Sequence, residues 1–480
     1  MEEIRENLRE VVLTAIESRN AKELKEIFET VPNIDIAEAI EDVDDAATLL
    51  YIFRVVDNEY SAEFFAELTT DQQELVIKTF SDKELMTLIS ESYADDIADT
   101  IQEMPANIVS RVLKVCPKDL RNDVNKLLNY KENTAGSVMT TEYIEMKEDV
   151  TVKDAIETIR VKGKDAETVY TIFVRDSKRT LTGTVDLDDL IFSKPDEVLA
   201  DIMNRDFVSC NANDDQEDVA KMFKRYDLTA MAVVNNENKI VGIITIDDVV
   251  DIMEEEVSED IAHMAAITDM SDPYLETPTF KLVLKCFPWI LALMVLQVFT
   301  TMILSGFEAE ISKFAILAVF TPLIMDAGGN SGGQTTTMIV RSLSLDEFSG
   351  KDYGKVIWKE MRVAAIIGAI VSTFAFGWLM FEMSVGIVKV DSVAGALSGS
   401  LTLVQAECLI AALVGGTLFV TMIISRLVGC SLPFLAKLIK LDPAVMCGPI
   451  TTTMVDIISL VTYFLIWTQL LNPMFFRIGF

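Results

Sequence analysis

The chain has 480 residues, half of them hydrophobic, and a formal net charge of −34. That length accommodates three or four domains, and so large an acid excess excludes nucleic acid and anionic lipid as partners of the acidic surface while favouring divalent counter-ions. Residues 276–480 hold 13 basic and 13 acidic side chains, so the whole negative balance falls on the first 275 residues. Cys116, Cys210, Cys286, Cys408, Cys430 and Cys447 are scattered without metal-ligand spacing and read as small buried hydrophobes. The opening MEEIRENLRE is charged and lacks an apolar core. No cleaved signal peptide is therefore expected, and the first 275 residues are expected in the cytoplasm.

Residues 1–130 carry apolar positions three and four apart, such as Leu24, Ile27 and Phe28, then Leu85, Leu88 and Ile89, and predict helices throughout. Thr70–Asp71 and Ser81–Asp82 supply cap residues. Asp35-Ile36-Ala37-Glu38-Ala39-Ile40 is echoed by Asp96-Ile97-Ala98-Asp99-Thr100-Ile101, which suggests a superhelical stack of helical units. Residues 131–255 are duplicated. Gly136-Ser137-Val138-Met139 opens one copy and Ala200-Asp201-Ile202-Met203 the other. Each then has an amphipathic helix (Val152–Ile159, Val219–Tyr226) and a β-branched run (Val169–Val174, Met231–Val234). Each ends in a Gly-started strand leading into an acidic helix, from Gly183 to Asp189 and from Gly242 to Asp248. The order β-α-β-β-α, twice, resembles a tandem pair of cystathionine-β-synthase-type (CBS) domains, which usually sense a small ligand.

In many such domains a Thr/Ser-x-x-Asp ending holds the ribose and phosphate of an adenine nucleotide. Thr245 and Asp248 keep that pattern, whereas the first copy has Asp186 at the hydroxyl position, which would repel phosphate. ATP or another adenine nucleotide is one ligand implied for the second cleft. The alternative is that Thr245 and Asp248 cap the following helix. From Asp247 to about Thr268 runs one acidic helix, and 256–275 forms a connecting segment toward the apolar half of the chain. It reads as a gating element or as an ordinary linker.

After Pro278 five segments are long enough to span about 30 Å of hydrocarbon, Val283–Leu304, Phe314–Val340, Val363–Phe381, Val404–Leu427 and Val445–Leu471. Lys281 and Lys285 flank the first. Arg341, Lys351, Lys355, Lys359 and Arg362 fall between the second and third, and Arg426, Lys437 and Lys440 between the fourth and fifth. The other side shows Lys313, Lys389 and Arg477, so the N-terminal part is expected inside and the C-terminus outside. The second segment contains Asp326-Ala327-Gly328-Gly329-Asn330-Ser331-Gly332-Gly333-Gln334, which would either break the helix or let backbones approach closely. Asp456 lies inside the fifth segment, and an ionisable group at that depth faces a cavity almost always. Asp326 and Glu407 are further candidates, Glu407 lying either at depth or near the outer surface. Carboxylates without basic partners imply a cation. An oxygen-only set of Asp, Asn, Gln, Thr and carbonyls suits Mg²⁺ or Ca²⁺ over zinc or copper. The single histidine, His263, lies outside the apolar segments.

Gly328-Gly329-Asn330 with Gly332 and Gln334, Leu441-Asp442-Pro443-Ala444, Gly448-Pro449 followed by Asp456, Trp289 and Ser305-Gly306-Phe307-Glu308 together resemble the MgtE family of magnesium channels over essentially the whole chain. The resemblance implies a multidomain protein: a helical N domain (1–130), an α/β CBS pair (131–255), an acidic connecting helix (256–275) and an all-α five-span pore domain (276–480). It implies a multi-pass homodimer of the cell's inner membrane, not an enzyme, with the pore between the second and fifth spans of both chains. Asp456 would be the pore acid, with Thr452 and Gly448 contributing carbonyls and Asp326, Asn330 and Gln334 on the ion path. The cytoplasmic part would sense intracellular Mg²⁺ through Asp215, Glu217, Asp227, Asp248, Asp251, Glu256, Glu259, Asp260 and an N-domain acid, Asp95. Mn²⁺, Co²⁺ or Ca²⁺ would be competing ions. Two other readings stay open, a cation-coupled divalent exchanger and a membrane-tethered nucleotide sensor without transport.

Overall fold

The computed structural model describes every residue except Met1, Glu103, Asp269, 271–273, Glu276, Asp346, 389–401, Cys447 and 472–480. Lys389, Arg477 and Cys447, named above, thus lie outside the described residues. The chain divides into two compact units, Met1–Glu254 and Glu255–Phe480, each taken here by itself.

The first unit opens with ten short helices among the described residues, α1–α10, between Glu2 and Leu127. Apart from the 16-residue α1 they have at most 10 residues, too few to be stable alone in water, so each depends on its buried stripe. Ser81 forms a reciprocal capping box with Glu84. The cap before the preceding helix is Thr69 rather than Thr70, which is already its first helical residue. In the internal repeat, Ile36 and Ile40 are buried, and so are Ile97 and Ile101: a spacing of four puts both members of each pair on one helix face.

The duplicated block forms two three-stranded sheets with one topology. In the first, β1 (Glu145–Lys147) pairs parallel with β2 (Thr171–Arg175), which pairs antiparallel with β3 (Leu181–Asp186). The helix α11 (Val152–Lys162) crosses between β1 and β2, α12 (Leu187–Phe192) follows β3, and a short α13 (Leu199–Ile202) leads into the second copy. The second repeats this with β4 (Ser209–Asn211), α14 (Gln216–Tyr226), β5 (Ala230–Val234), β6 (Ile240–Thr245) and α15 (Ile246–Met264). The copies are interlocked through their opening segments. Thr140 bridges Ile243 of β6, and Asn204 bridges Thr184 of β3. The two strand glycines make room for this: a Cβ on Gly242 would lie 2.6 Å from Met139 Sδ, and one on Gly183 would lie 2.8 Å from Met203 Sδ.

The second unit contains α16 (Thr279–Gly306), a short α17 (Glu308–Lys313), α18 (Ile316–Ser344), α19 (Tyr353–Ser384), α20 (Leu403–Leu438) and α21 (Pro449–Ile466). Four of these, α16, α19, α20 and α21, are long and apolar enough to cross a membrane. At 29 residues α18 is also long enough, but its glycines and polar residues lower its hydropathy. The third and fourth helices run well past the apolar windows seen in the sequence. Lys355, Lys359 and Arg362 therefore lie in the first turns of α19, and Arg426 lies inside α20 rather than in a loop.

Candidate functional site

Helix α18 runs unbroken through Asp326–Gln334, so its glycines serve close packing and do not interrupt it. A Cβ on Gly328 would stand 2.7 Å from Ser459 Oγ, and one on Gly332 would stand 2.9 Å from Val455 Cγ2, both on α21. A Cβ on Gly329 would meet Thr452 Cγ2 at 2.7 Å and Asp456 Oδ1 at 3.3 Å. Thr336 ties the same face to its neighbours, donating to Gly429 O at 3.0 Å and lying 3.2 Å from Thr451 Oγ1. With the small residues turned inward, Asp326, Asn330 and Gln334, spaced by four, form one exposed polar stripe along α18.

Asp456 is half-buried in α21 beside Gly329, and its Oδ1 is shut off from solvent without a hydrogen-bond partner among the described residues. The charged group that acts on it is another carboxylate, Asp326. Thr452 sits one turn earlier, and its backbone N and its hydroxyl both donate to Gly448 O, at 2.9 and 3.0 Å. The Gly448 carbonyl is thus already shared by two donors at the helix start. Gly448 itself has φ +54°, a conformation that costs an L side chain strain, and a Cβ there would also collide with Met264 O at the end of α15. His263 in the last turn of α15 lies 2.8 Å from Asp442 Oδ2 through Nδ1. Glu407 falls in the second turn of α20, at the end of the helix rather than at mid-depth.

A further membrane-helix acid, Glu360, is not singled out by the sequence. Glu360 of α19 accepts from Arg426 Nη1 of α20 at 2.9 Å, and the Thr335 hydroxyl of α18 lies 3.4 Å from the same oxygen. Both charges are buried, and the pair bolts three helices together.

The first unit gathers acids from five chain segments. Asp95 and Asp96 at the start of α8 (Ala94–Gln102) act electrostatically on one another and on Glu142, Glu167 and Asp248, with Glu63, Glu67, Asp247 and Asp251 around them. Burial, and then the neighbouring carboxylates, push Asp95 up to about 8, Glu167 to about 7 and Asp96 to about 6. Asp248 rises to about 6, chiefly by burial, against the opposing hydrogen bond from the Thr245 hydroxyl at 2.9 Å. Glu67 and Asp251 rise for the same reasons. Among the described residues Asp95 Oδ1 is buried without a partner, and no lysine or arginine offsets the charge of these acids. Oxygen-only donors with uncompensated charge fit a hard divalent cation.

The proposed sensor acids therefore fall into three groups. Asp95, Asp248 and Asp251 belong to this cluster. Asp215 caps α14, accepting from Glu217 N at 3.0 Å, while Glu217 reaches Lys221 and Asp227 closes the helix with φ +51°. Glu256, Glu259 and Asp260 belong to the second unit, Glu259 lying 3.7 Å from His263. The Thr245 hydroxyl donates to Asp248 Oδ2 at 2.9 Å at the start of α15. Asp186, Asp188 and Asp189 place their carboxylates within 4.8 Å of one another on an exposed helix start.

Family profiles match the chain in three places: a divalent cation transporter, MgtE, over 321–466, the MgtE intracellular N domain over 31–133, and a CBS domain over 199–255. The chain is similar to the magnesium transporter MgtE of Thermus thermophilus, 30% identical over 453 residues, 94% of this chain and 95% of that protein. It is 28% identical to the magnesium transporter MgtE of Bacillus subtilis over 438 residues, 89% of this chain and 92% of that one. Among solved structures it is similar to the cytosolic domain of the Mg²⁺ channel MgtE in complex with ATP, at 31% identity and a TM-score of 0.48, covering 51% of this chain and 99% of that one.

Proposed function

The chain belongs to the MgtE family of magnesium transporters, and on that premise we propose that it is a channel admitting Mg²⁺ to the cytoplasm and closed by intracellular Mg²⁺. The observation that carries the permeation reading is Asp456, a carboxylate with no basic partner among the described residues, pressed against Gly329 of α18. Two copies related by a two-fold axis would bring two such acids together and turn the exposed Asp326, Asn330 and Gln334 stripes toward a common path. Mg²⁺ gives up its waters reluctantly, so the acids would hold it hydrated. Moving two charges across 100 mV releases about 4.6 kcal/mol, which drives uptake without a coupled ion. Mn²⁺, Co²⁺ and Ca²⁺ would compete.

Closure would begin at the carboxylates of the cytoplasmic part, which repel one another until divalent ions bridge them. Within the second unit, the contact of Met264 with Gly448 gives the end of α15 a direct hold on the start of α21. An adenine nucleotide is a second proposed ligand at Thr245 and Asp248; because Asp248 sits among acids, its phosphates would need an accompanying divalent cation.

Flux into proteoliposomes tests the reading. Asp456→Ala should lose Mg²⁺ influx, and wild-type single-channel currents without a counter-gradient would rule out the exchanger. The variant D251N/E256Q/E259Q/D260N should stay open at an internal Mg²⁺ concentration that closes the parent. Closure at an unchanged concentration would refute the gating mechanism.

A further inference from the structure

The two longest helices of the second unit, α19 and α20, overrun the hydrocarbon core. At 1.5 Å per residue their 32 and 36 residues span roughly 48 and 54 Å, against about 30 Å needed. The start of α19 and the end of α20 meet beyond that core, and between them lies an open groove of about 790 Å³. Its walls are apolar, formed mainly by Leu427, Leu432, Phe434, Leu435 and Leu438. Two hydroxyls at the wall consume each other: Ser431 donates to Leu427 O at 2.7 Å, which leaves Tyr353 to donate to Ser431 across 2.9 Å. Lys437 is the charged residue in the lining, and it is exposed.

The charge around the groove is unbalanced. Over 341–362 and 426–442 three of the described acids are already matched, Glu347 by Arg341, Asp352 by Lys355 and Glu360 by Arg426, while Asp442 lies 2.8 Å from His263, which answers its charge only when protonated. Lys351, Lys359, Arg362, Lys437 and Lys440 have no ion-pair partner among the described residues. Trp358, 63% exposed, and Tyr353 stand beside them, the aromatic pattern of a membrane–water boundary. Leu435, Leu438 and Ile439, all at least half exposed, would not stand bare in water.

We propose that this groove binds an anionic phospholipid of the cytoplasmic leaflet, with an acyl chain along the apolar wall and its phosphate at Lys437. A groove that opens to the bilayer is filled by lipid, and the unmatched cations select an anionic head group. A second copy of the chain fits poorly, because it would bring its own unmatched cations against these. The inference rests on the topology proposed above, which puts this helix end inside, but not on which ion permeates.

The test uses the full-length protein, delipidated in detergent and titrated with phosphatidylglycerol or phosphatidylcholine of identical acyl chains, with bound lipid counted by native mass spectrometry. Phosphatidylglycerol should be retained at a lower concentration than phosphatidylcholine, and Lys437→Gln should reduce that preference about fivefold, with Lys437→Arg retaining it. Ser431→Trp should block both lipids, and if it fails to fold, the exposed Lys437 variants still decide. Equal retention of the two lipids, an unchanged preference in Lys437→Gln, or displacement by inorganic phosphate at millimolar concentration would overturn the proposal. So would disulfide formation between two Leu435→Cys chains in membranes, which would make the groove an interface between copies. Because lipid retention does not read ion flux, a failed transport assay leaves this result standing, and the reverse.

Discussion

Glu360 and Asp456 are both acids on long apolar helices of the same unit, and they live in opposite circumstances. Glu360 meets Arg426 at 2.9 Å and lies beside the Thr335 hydroxyl, so its charge is fully answered within the protein. Asp456 has another acid as its charged neighbour and one oxygen with no partner. An unanswered charge in a low-dielectric setting costs several kcal/mol. The fold can build a buried ion pair three helices wide and does so for Glu360, yet among the described residues it gives Asp456 no basic partner. The difference separates an acid that holds helices together from one that, in the function proposed above, would meet a passing ion.

That contrast is sharpest under neutralisation. Asp456→Asn keeps the side-chain shape and should lower Mg²⁺ flux by more than about tenfold, equivalent to 1.4 kcal/mol, while thermal stability in detergent holds or rises. Glu360→Gln should do the opposite. Leaving Arg426 buried and unpaired should cost about 3–5 kcal/mol of stability, seen as a lower melting temperature and poorer yield. The protein that does fold should keep its ion selectivity. Replacing both partners, as in E360M/R426M, should recover much of that stability. If Glu360→Gln instead changed selectivity with no loss of stability, the division of roles would fail.

The acid cluster of the first unit extends the comparison outside the membrane, where pH can reach it. Asp95, Glu167, Asp96 and Asp248 titrate higher in the folded protein, at about 6 to 8, than an unfolded carboxylate at about 4. A raised carboxylate means the folded state holds more protons, so metal-free stability is fully present below about pH 4 and is lost as pH rises through 6 to 8. Mg²⁺ binds the ionised form, so its protection should be large at pH 8.5 and small at pH 5.5. Limited proteolysis of the 1–254 region in full-length protein, with Mg²⁺ or with EDTA, checks this. Greater Mg²⁺ protection at pH 5.5 would refute it.

What sequence could reveal follows from how each feature is encoded. The duplicated β-α-β-β-α order and the apolar segments are local patterns, and Asp456 stands out because it interrupts one. The acid cluster is not local. Asp95, Glu142, Glu167 and Asp248 come from separate segments, and only the docking of helical and CBS parts within one unit brings them together. Asp95 and Asp248 entered the expectation through the family resemblance, whereas Asp96, Glu142 and Glu167 did not. The Glu360–Arg426 pair is not local either: its members lie 66 residues apart on α19 and α20 and meet only through the packing of the two helices. The glycine segment left two outcomes open, and helix continuity decided between them, because Val455, Thr452 and Ser459 fill the space a Cβ would need.

The smallest expected effect concerns the uncharged members of the polar stripe. Asn330 lies on the same exposed face of α18 as Asp326 and Gln334, with Gly329 beside it turned toward Asp456. If that face borders the ion path, Asn330 supplies an uncharged oxygen that a hydrated cation passes, and its loss removes one of several such donors. Asn330→Leu should therefore lower Mg²⁺ conductance a few-fold, less than Asp456→Asn, with closure by internal Mg²⁺ intact. Gln334→Leu, one turn further along, should behave alike. Ile370→Leu on α19, a side chain 64% exposed on an apolar helix, is the matched control and should change nothing. The stripe could instead be a packing surface between copies, in which case apolar substitution would strengthen association and leave conductance near the control value. Conductance and oligomeric stability measured on the same preparations separate the two outcomes: a loss of conductance without tighter association assigns the stripe to the path, and tighter association with unchanged conductance assigns it to packing.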